Sequence, residues 1–229
     1  MASGRRLNNL TDHDTYPLPH IHSFADHLHG MKLYSKVDLK DAFLQIPVHP
    51  SDIAKTTITT PFGAYHYNYM PFGLSGAAQT FQRFIDTVMR DLTTDSGRVV
   101  TAFADVDDIL IASRDEKTHL EDLRDLFQRL AQYGLRISPL KSLFGQDSIE
   151  FLGHSITMEG VAPLPEKVSA MRSFSQPRDA KEMRRYLGML NFYRRFLNNA
   201  ATVLIPLYDI IKFIINFLLV HLLFGLPNR

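Results

Sequence analysis

The stretch FADVDDILIAS, residues 103–113, decides how this chain is read. Two short apolar runs, residues 99–104 and 109–112, flank Asp105-Val106-Asp107-Asp108, a pattern that predicts a hairpin with an acidic tip. Two carboxylates a few ångströms apart cannot both stay ionised cheaply unless a cation shares them. A third carboxylate, Asp38, ends the strand-like run over residues 33–39 in YSKVDLKDAF. Hard divalent cations take oxygen ligands, and magnesium uses one or two carboxylates together with substrate phosphates. A carboxylate arriving from a distant strand completes the layout of two-metal phosphoryl chemistry. An isolated Asp-Asp pair is more often a plain polar turn, so the surrounding sequence has to carry the reading.

Outward from the hairpin, helical periodicity appears on both sides. Leu120, Leu123, Phe127 and Leu130 recur at helical spacing after Ser113, with acids in the first turn and Gly134 at the end. Residues 77–92 place Phe81, Phe84, Ile85, Val88 and Leu92 on one face. Residues 180–198 carry a stripe of Tyr186, Met189, Leu190, Tyr193 and Phe196, read as core packing. A second hairpin is expected over residues 56–69, with Tyr65, Tyr67 and Tyr69 on one face. Helices mixed with mostly antiparallel strands, and no βαβ regularity, give an α+β layer architecture. No glycine-rich phosphate loop of the Walker or dinucleotide type occurs.

Composition narrows the function classes. The 229 residues are 45% hydrophobic and 21% charged, which excludes a disordered tail, a collagen-like fibre and a coiled-coil rod. Lysine plus arginine number 25 against 24 acids, so any polyanion site must come from local clustering. The absence of cysteine removes disulfide scaffolds, thiolate zinc sites and cysteine nucleophiles together. The histidine-rich stretch (His13, His20, His22, His27, His29) comes with no arguable supporting shell, and zinc is not expected.

In order along the chain stand RRLN (5–8), YPLP (16–19), YSKVDLKDAFLQIPV (34–48), MPFGLSGAAQTFQ (70–82), the DVDDILIAS hairpin, SPLK (138–141), FLGH (151–154) and RRYLGMLNFYRRF (184–196). Together they resemble the reverse transcriptases of gypsy-type LTR retrotransposons, over residues 5–208. The resemblance implies an RNA-directed DNA polymerase with a right-hand palm, partial fingers and thumb-like C-terminal helices. Residues 1–157 would be fingers and palm, 158–209 the thumb-like region, and 210–229 an apolar tail of unrelated sequence. It further implies that Asp38, Asp107 and Asp108 ligate two magnesium ions, with manganese as the alternative. Asp41 and Ala42 would offer backbone N–H groups to a deoxynucleoside triphosphate. Phe43 would exclude a ribose 2′-hydroxyl, and Phe72 and Gly73 would pack on the incoming nucleotide. Lys141 would neutralise or protonate the leaving phosphates. Phe151, Leu152, Gly153 and His154 would form the primer grip, with His154 positioning rather than ligating. Arg184 and Arg195, eleven residues apart on a continuous helix and so on one face, would contact the phosphates of an RNA or DNA template with its primer.

Two departures temper that implication. The family's hairpin usually has an aromatic residue two places before the first paired aspartate, where this chain has Asp105. On a strand, Asp105 would share a face with Asp107. The chain also starts almost at RRLN, so most of the fingers are expected to be missing. The alternatives are therefore a catalytically dead palm that still binds nucleic acid, or a membrane-tethered remnant. The tail IIKFIINFLLVHLLFGL (210–226) would be about 25 Å long as a helix, short of a ~30 Å hydrocarbon core. It is expected to be helical, poorly packed on the body and irrelevant to catalysis. With no apolar leader in residues 1–9, an intracellular location in cytoplasm or nucleus is expected, membrane association through the tail being the alternative.

Overall fold

The acidic hairpin and the strand carrying Asp38 are adjacent members of one antiparallel sheet. β1 (Leu33–Asp38), β4 (Ala102–Asp105), β5 (Asp108–Ser113) and β6 (Leu143–Gln146) run in the order β4-β5-β1-β6. The computed structural model describes residues 3–19 and 24–224. His20 and His22 of the histidine-rich stretch, and the last five residues of the tail, lie outside these.

β5 is buried on both faces, and its two-residue period sorts its side chains between two cores. Ile109 and Ile111 enter a cluster with Val37, Phe81, Ile85, Val88, Leu126 and Leu130. Leu110 and Ala112 enter another with Leu28, Tyr34, Phe103, Phe151 and Ile156. Each large apolar side chain so buried contributes about 1.5–3 kcal/mol. The sheet is therefore fixed from both sides, and its strand ends inherit that rigidity.

The helices on the first cluster differ in detail from their sequence periodicity. α2 (Ala77–Met89), which follows α1 (Ser3–Leu10), buries Phe81, Ile85 and Val88 but also Gln82, and it ends before Leu92. Asp91, at φ 53°, turns the chain there. α3 (Glu116–Gln132) is capped by Asp115, whose carboxylate accepts the Thr118 N–H. Its buried face is His119, Asp122, Leu123, Leu126 and Leu130, whereas Leu120 is exposed. The expected stripe is thus rotated toward two polar residues. The second hairpin is shorter than expected: β2 (Ile58–Thr60) pairs with β3 (Gly63–Tyr65), so Tyr67 and Tyr69 lie beyond the strand.

The chain divides into two compact units, residues 1–152 with 156–161, and residues 153–155 with 162–229. A three-stranded sheet follows β6, formed by β7 (Ile149–Phe151), β8 (His154–Thr157) and β9 (Gly160–Pro163). The second unit holds α4 (Pro165–Arg172), α5 (Ala180–Phe192) and α6 (Ala200–Phe224). In α5 the fully buried residue is Leu187, outside the expected stripe; it packs with Leu204 and Ile211 of α6. The tail is helical as expected, but Ile211 shows that its start is packed rather than loose. Among the described residues no helix is long and apolar enough to cross a membrane.

Candidate active site

The antiparallel register sets Asp38 directly opposite Asp108, and Asp108 opposite Asp105. Residues directly opposite on such strands share a face, so three carboxylates form a row across the ends of β1, β5 and β4. Asp107 sits in the two-residue turn with Val106, and its carbonyl accepts the Leu39 N–H at 2.8 Å. Val106 adopts φ 47°. A β-branched residue in that region is a genuine outlier, strained by about 1–3 kcal/mol. The turn also corrects one expectation: Asp105 is aligned with Asp108, not with Asp107.

Repulsion at this edge is only partly offset, by Lys36 and Lys141. Asp107 has its pKa raised, chiefly by burial and then by the charges of Asp108 and Asp38, with Asp105 adding least. Asp108 is raised as well, first by burial, with Lys36 pulling the other way and Asp38 adding repulsion. Asp38 Oδ1 and Asp107 Oδ1 are buried and accept no hydrogen bond. Lys141 Nζ stands 4.0 Å from Asp38 Oδ1, an ion pair too long to be a hydrogen bond. Hard oxygen donors with open valency and mutual repulsion suit divalent magnesium or manganese. Among the described residues, however, no three acidic or imidazole groups close around a common point as a metal site would.

The loop after β1 is bolted to the same edge. Ser138 donates its N–H to the Asp38 carbonyl at 2.7 Å, and the Asp38 N–H donates to Ser142 Oγ at 3.1 Å. Asp41 is exposed at φ 48°, opening a 3-10 turn that contains buried Ala42. Phe43 is half-buried, in edge contact with Phe72 at 5.6 Å and Phe81 at 5.9 Å between ring centroids. Phe72 is mostly exposed. Gly73, at φ 84°, offers its carbonyl to Asn8 Nδ2, while Asn8 Oδ1 accepts the Ser75 N–H, both at 2.8 Å. Thus Asp38, Asp107, Asp108 and Lys141 meet at one edge, while Phe43 and Phe72 meet each other.

The remaining candidates are set differently. Phe151 is buried with its ring edge-on to Phe103 at 5.9 Å. Leu152 and Gly153, at φ 47° and 76°, make the turn into β8. His154 is buried, stacked on Phe192 at 5.3 Å, with Tyr193 edge-on; the Tyr193 hydroxyl donates to the Gly153 carbonyl at 2.6 Å. Arg184 is exposed on α5, but Arg195 lies on a separate 3-10 turn, Arg194–Phe196, after the helix ends at Tyr193. The argument that both share a face of one continuous helix does not hold.

Two polar assemblies escaped the sequence reading. Gln82 is fully buried; its Oε1 accepts the Val106 N–H at 2.8 Å, and its Nε2 donates to the Ala104 carbonyl at 3.0 Å. Deeper in the same strands, one proton assignment satisfies a whole chain of groups. The Gly145 N–H donates to Ser35 Oγ, Ser35 to His119 Nε2, His119 Nδ1 to Ser113 Oγ, and Ser113 to Asp122, which also pairs with Arg98. Burial lowers the His119 pKa, against the pull of Asp122. Polar residues on an otherwise apolar helix face, Gln82 on α2 and His119 with Asp122 on α3, are the signal that could have found each.

Residues 1–156 match the family described as reverse transcriptase (RNA-dependent DNA polymerase). The chain is 36% identical over 208 residues to the retrovirus-related Pol polyprotein from transposon opus of Drosophila melanogaster, covering 91% of this chain and 20% of that protein. It is 32% identical to the transposon Tf2-3 polyprotein of Schizosaccharomyces pombe over 90% of its length and 15% of the relative's. It therefore spans about a fifth or less of these relatives. Among solved structures, it is similar to a foamy viral protease-reverse transcriptase in complex with double-stranded DNA, with a TM-score of 0.80 and 24% identity over 92% of this chain and 36% of that one. A foamy viral protease-reverse transcriptase in complex with an RNA/DNA hybrid gives a TM-score of 0.76 at 24% identity, over 91% and 27% of the two chains.

Proposed function

Because the chain belongs to the reverse transcriptase (RNA-dependent DNA polymerase) family, a family of nucleotidyltransferases, we propose that it carries the polymerising site for template-directed synthesis of DNA on an RNA or DNA template. The observation that carries this reading is the register that sets Asp38 against Asp108 beside the Asp107 turn. Asp38, Asp107 and Asp108 would hold two divalent cations, which when bound supply Lewis-acid activation of the primer hydroxyl and charge neutralisation at the phosphates. The open valency of Asp38 Oδ1 and Asp107 Oδ1 supports that role.

The other residues bind and orient. The backbone N–H groups of Asp41 and Ala42 receive the triphosphate, and Lys141, already drawn toward Asp38, offsets the charge that builds on the leaving phosphates. Phe43, steadied by Phe81, lies against the sugar and favours deoxynucleotides, while Phe72 supplies apolar surface and Gly73 the tight loop. Phe151, Leu152, Gly153 and His154 hold the primer end, and Arg184 and Arg195 contact phosphates. Residues 1–157 act as fingers and palm, residues 158–209 as the thumb, and residues 210–229 lie outside the catalytic machinery. Double-stranded DNA and an RNA/DNA hybrid, the partners of the solved relatives, are the corresponding substrates.

One observation favours a second reading, a palm that grips nucleic acid without extending it: Asp105 adds a fourth carboxylate where the family keeps a ring. Primer extension on a poly-rA template separates the two. The wild type extends, Asp107→Asn does not, and Asp105→Tyr extends faster. Duplex binding with no extension in wild type or Asp105→Tyr would leave the binder. Arg184→Ala and Arg195→Ala each flatten the salt dependence of duplex binding by about one unit for every phosphate that is no longer neutralised.

A further inference from the structure

The strained turn has a brace that reaches it from the far side of α2. Gln82 spans the hairpin from the Ala104 carbonyl to the Val106 N–H, straddling Asp105. A side-chain amide can flip, exchanging its oxygen and nitrogen. Here the two backbone partners already favour one orientation, and Asp86 reinforces it: its Oδ1 accepts from Gln82 Nε2 at 2.8 Å and would repel the amide oxygen in the flipped state. Asp86 is held in turn: its Oδ2 accepts the Tyr16 hydroxyl at 2.6 Å. Tyr16 lies under the Arg83 guanidinium, 4.7 Å from the ring centroid, and Arg83 grips both oxygens of Asp14 at 2.9 Å. Asp14 also accepts the Tyr16 N–H. The relay thus runs from the segment before YPLP, through α2, to the backbone of the acidic turn.

We infer that Gln82 is a positioning residue for nucleotidyl transfer, kept in its working orientation by Asp86 and Tyr16, and that it holds Val106 left-handed so that Asp107 and Asp108 stay in place. The inference rests on the polymerase reading above. It gives work to two sequence motifs, YPLP and the end of MPFGLSGAAQTFQ, that otherwise have none.

A double-mutant cycle tests it. Gln82→Leu removes both hydrogen bonds at similar size, and Val106→Gly lets the turn adopt its positive φ without strain. The expected loss in kcat of primer extension for Gln82→Leu is on the order of 10- to 100-fold, with the KM for deoxynucleotide unchanged within about twofold. In the Val106→Gly background the loss shrinks to about threefold or less. An equal loss in both backgrounds, or a change confined to KM, overturns the inference. Amide exchange at Val106 is read on the same proteins and on Asp86→Asn, a near-isosteric variant that weakens the hold on the Gln82 amide and serves if Gln82→Leu does not fold. The Val106 amide is protected in wild type and exchanges faster in either variant; no change overturns the brace. If wild type extends no primer, the polymerase reading falls by itself and the exchange result alone decides the brace.

Discussion

β1 and β5 carry two polar clusters a few residues apart, and the two are built on opposite plans. At Ser35 and Ser113 every donor meets an acceptor, a neutral imidazole is closed in by hydroxyls, and the one buried charge, Asp122, has both Arg98 and Ser113. At Asp38 and Asp108, carboxylates face carboxylates, and two buried oxygens accept nothing. Buried polar groups are nearly always satisfied, and an exception calls for an explanation. The first cluster satisfies its own hydrogen-bonding groups; the second leaves two carboxylate oxygens open. The difference teaches that open valency, rather than polarity or burial, is what sets the acidic edge apart from an ordinary polar core.

The largest effect that would sharpen this contrast is at Asp107. Asp107→Asn is expected to bring primer extension down to the blank while raising stability by a few tenths to about 1 kcal/mol, because a repelled charge disappears. Denaturant midpoints and extension assays on the same protein check both halves; a loss of stability would break the contrast. Asp122→Ala should do the reverse. It strands the Ser113 hydroxyl, leaves the Arg98 guanidinium without Asp122 and costs about 2–3 kcal/mol, with activity per folded molecule little changed.

The two clusters should also answer pH with opposite signs. His119 has a folded pKa below its ordinary 6.5, so its contribution is present above that value and is lost as pH falls below it. Asp107 and Asp108 have folded pKa values above 3.8, so their contribution is absent at neutral pH, appears as pH falls through the raised values, and is complete below 3.8. Chemical denaturation between about pH 8 and pH 4 should show His119→Gln flattening the upper part of the profile and Asp107→Asn the lower part. The smallest effect separates neighbours within the acidic row. Removing Asp108 should lower the Asp107 pKa more than removing Asp105, which a carboxyl titration followed by NMR in Asp108→Asn and Asp105→Asn would rank.

Much of this was legible beforehand because it is local or patterned. The strand ending at Asp38, the hairpin flanked by Ala104 and Ile109, and the helix after Ser113 follow from alternation and periodicity, although Asp115, read as part of that helix's first turn, is its cap. What was hidden depends on partners far along the chain. Ser35 and His119 are 84 residues apart, and Gln82 and Val106 are 24 apart, so nothing in either neighbourhood announces the pairing. The same holds where tertiary packing overrode a local pattern: Leu187 rather than Tyr186 is buried because α6 supplies Leu204 and Ile211 on that side. Tyr193 ends α5, its hydroxyl committed to Gly153, and no helix breaker in the sequence warns of it.

The place of β1 in the strand order also shapes how the chain must be made. Both of its sheet neighbours, β5 and β6, lie downstream, and Asp38 waits 70 residues for Asp108. At ribosomal rates of 5–20 residues per second, that is roughly 4–14 s during which Leu33, Tyr34 and Val37 have no strand to pair with. The β4–β5 hairpin closes by itself within microseconds once it has emerged. The acidic edge is thus assembled late, since Asp108 can meet Asp38 only after β5 has emerged. The nascent chain is most exposed to misassociation between the emergence of β1 and that of Ser113.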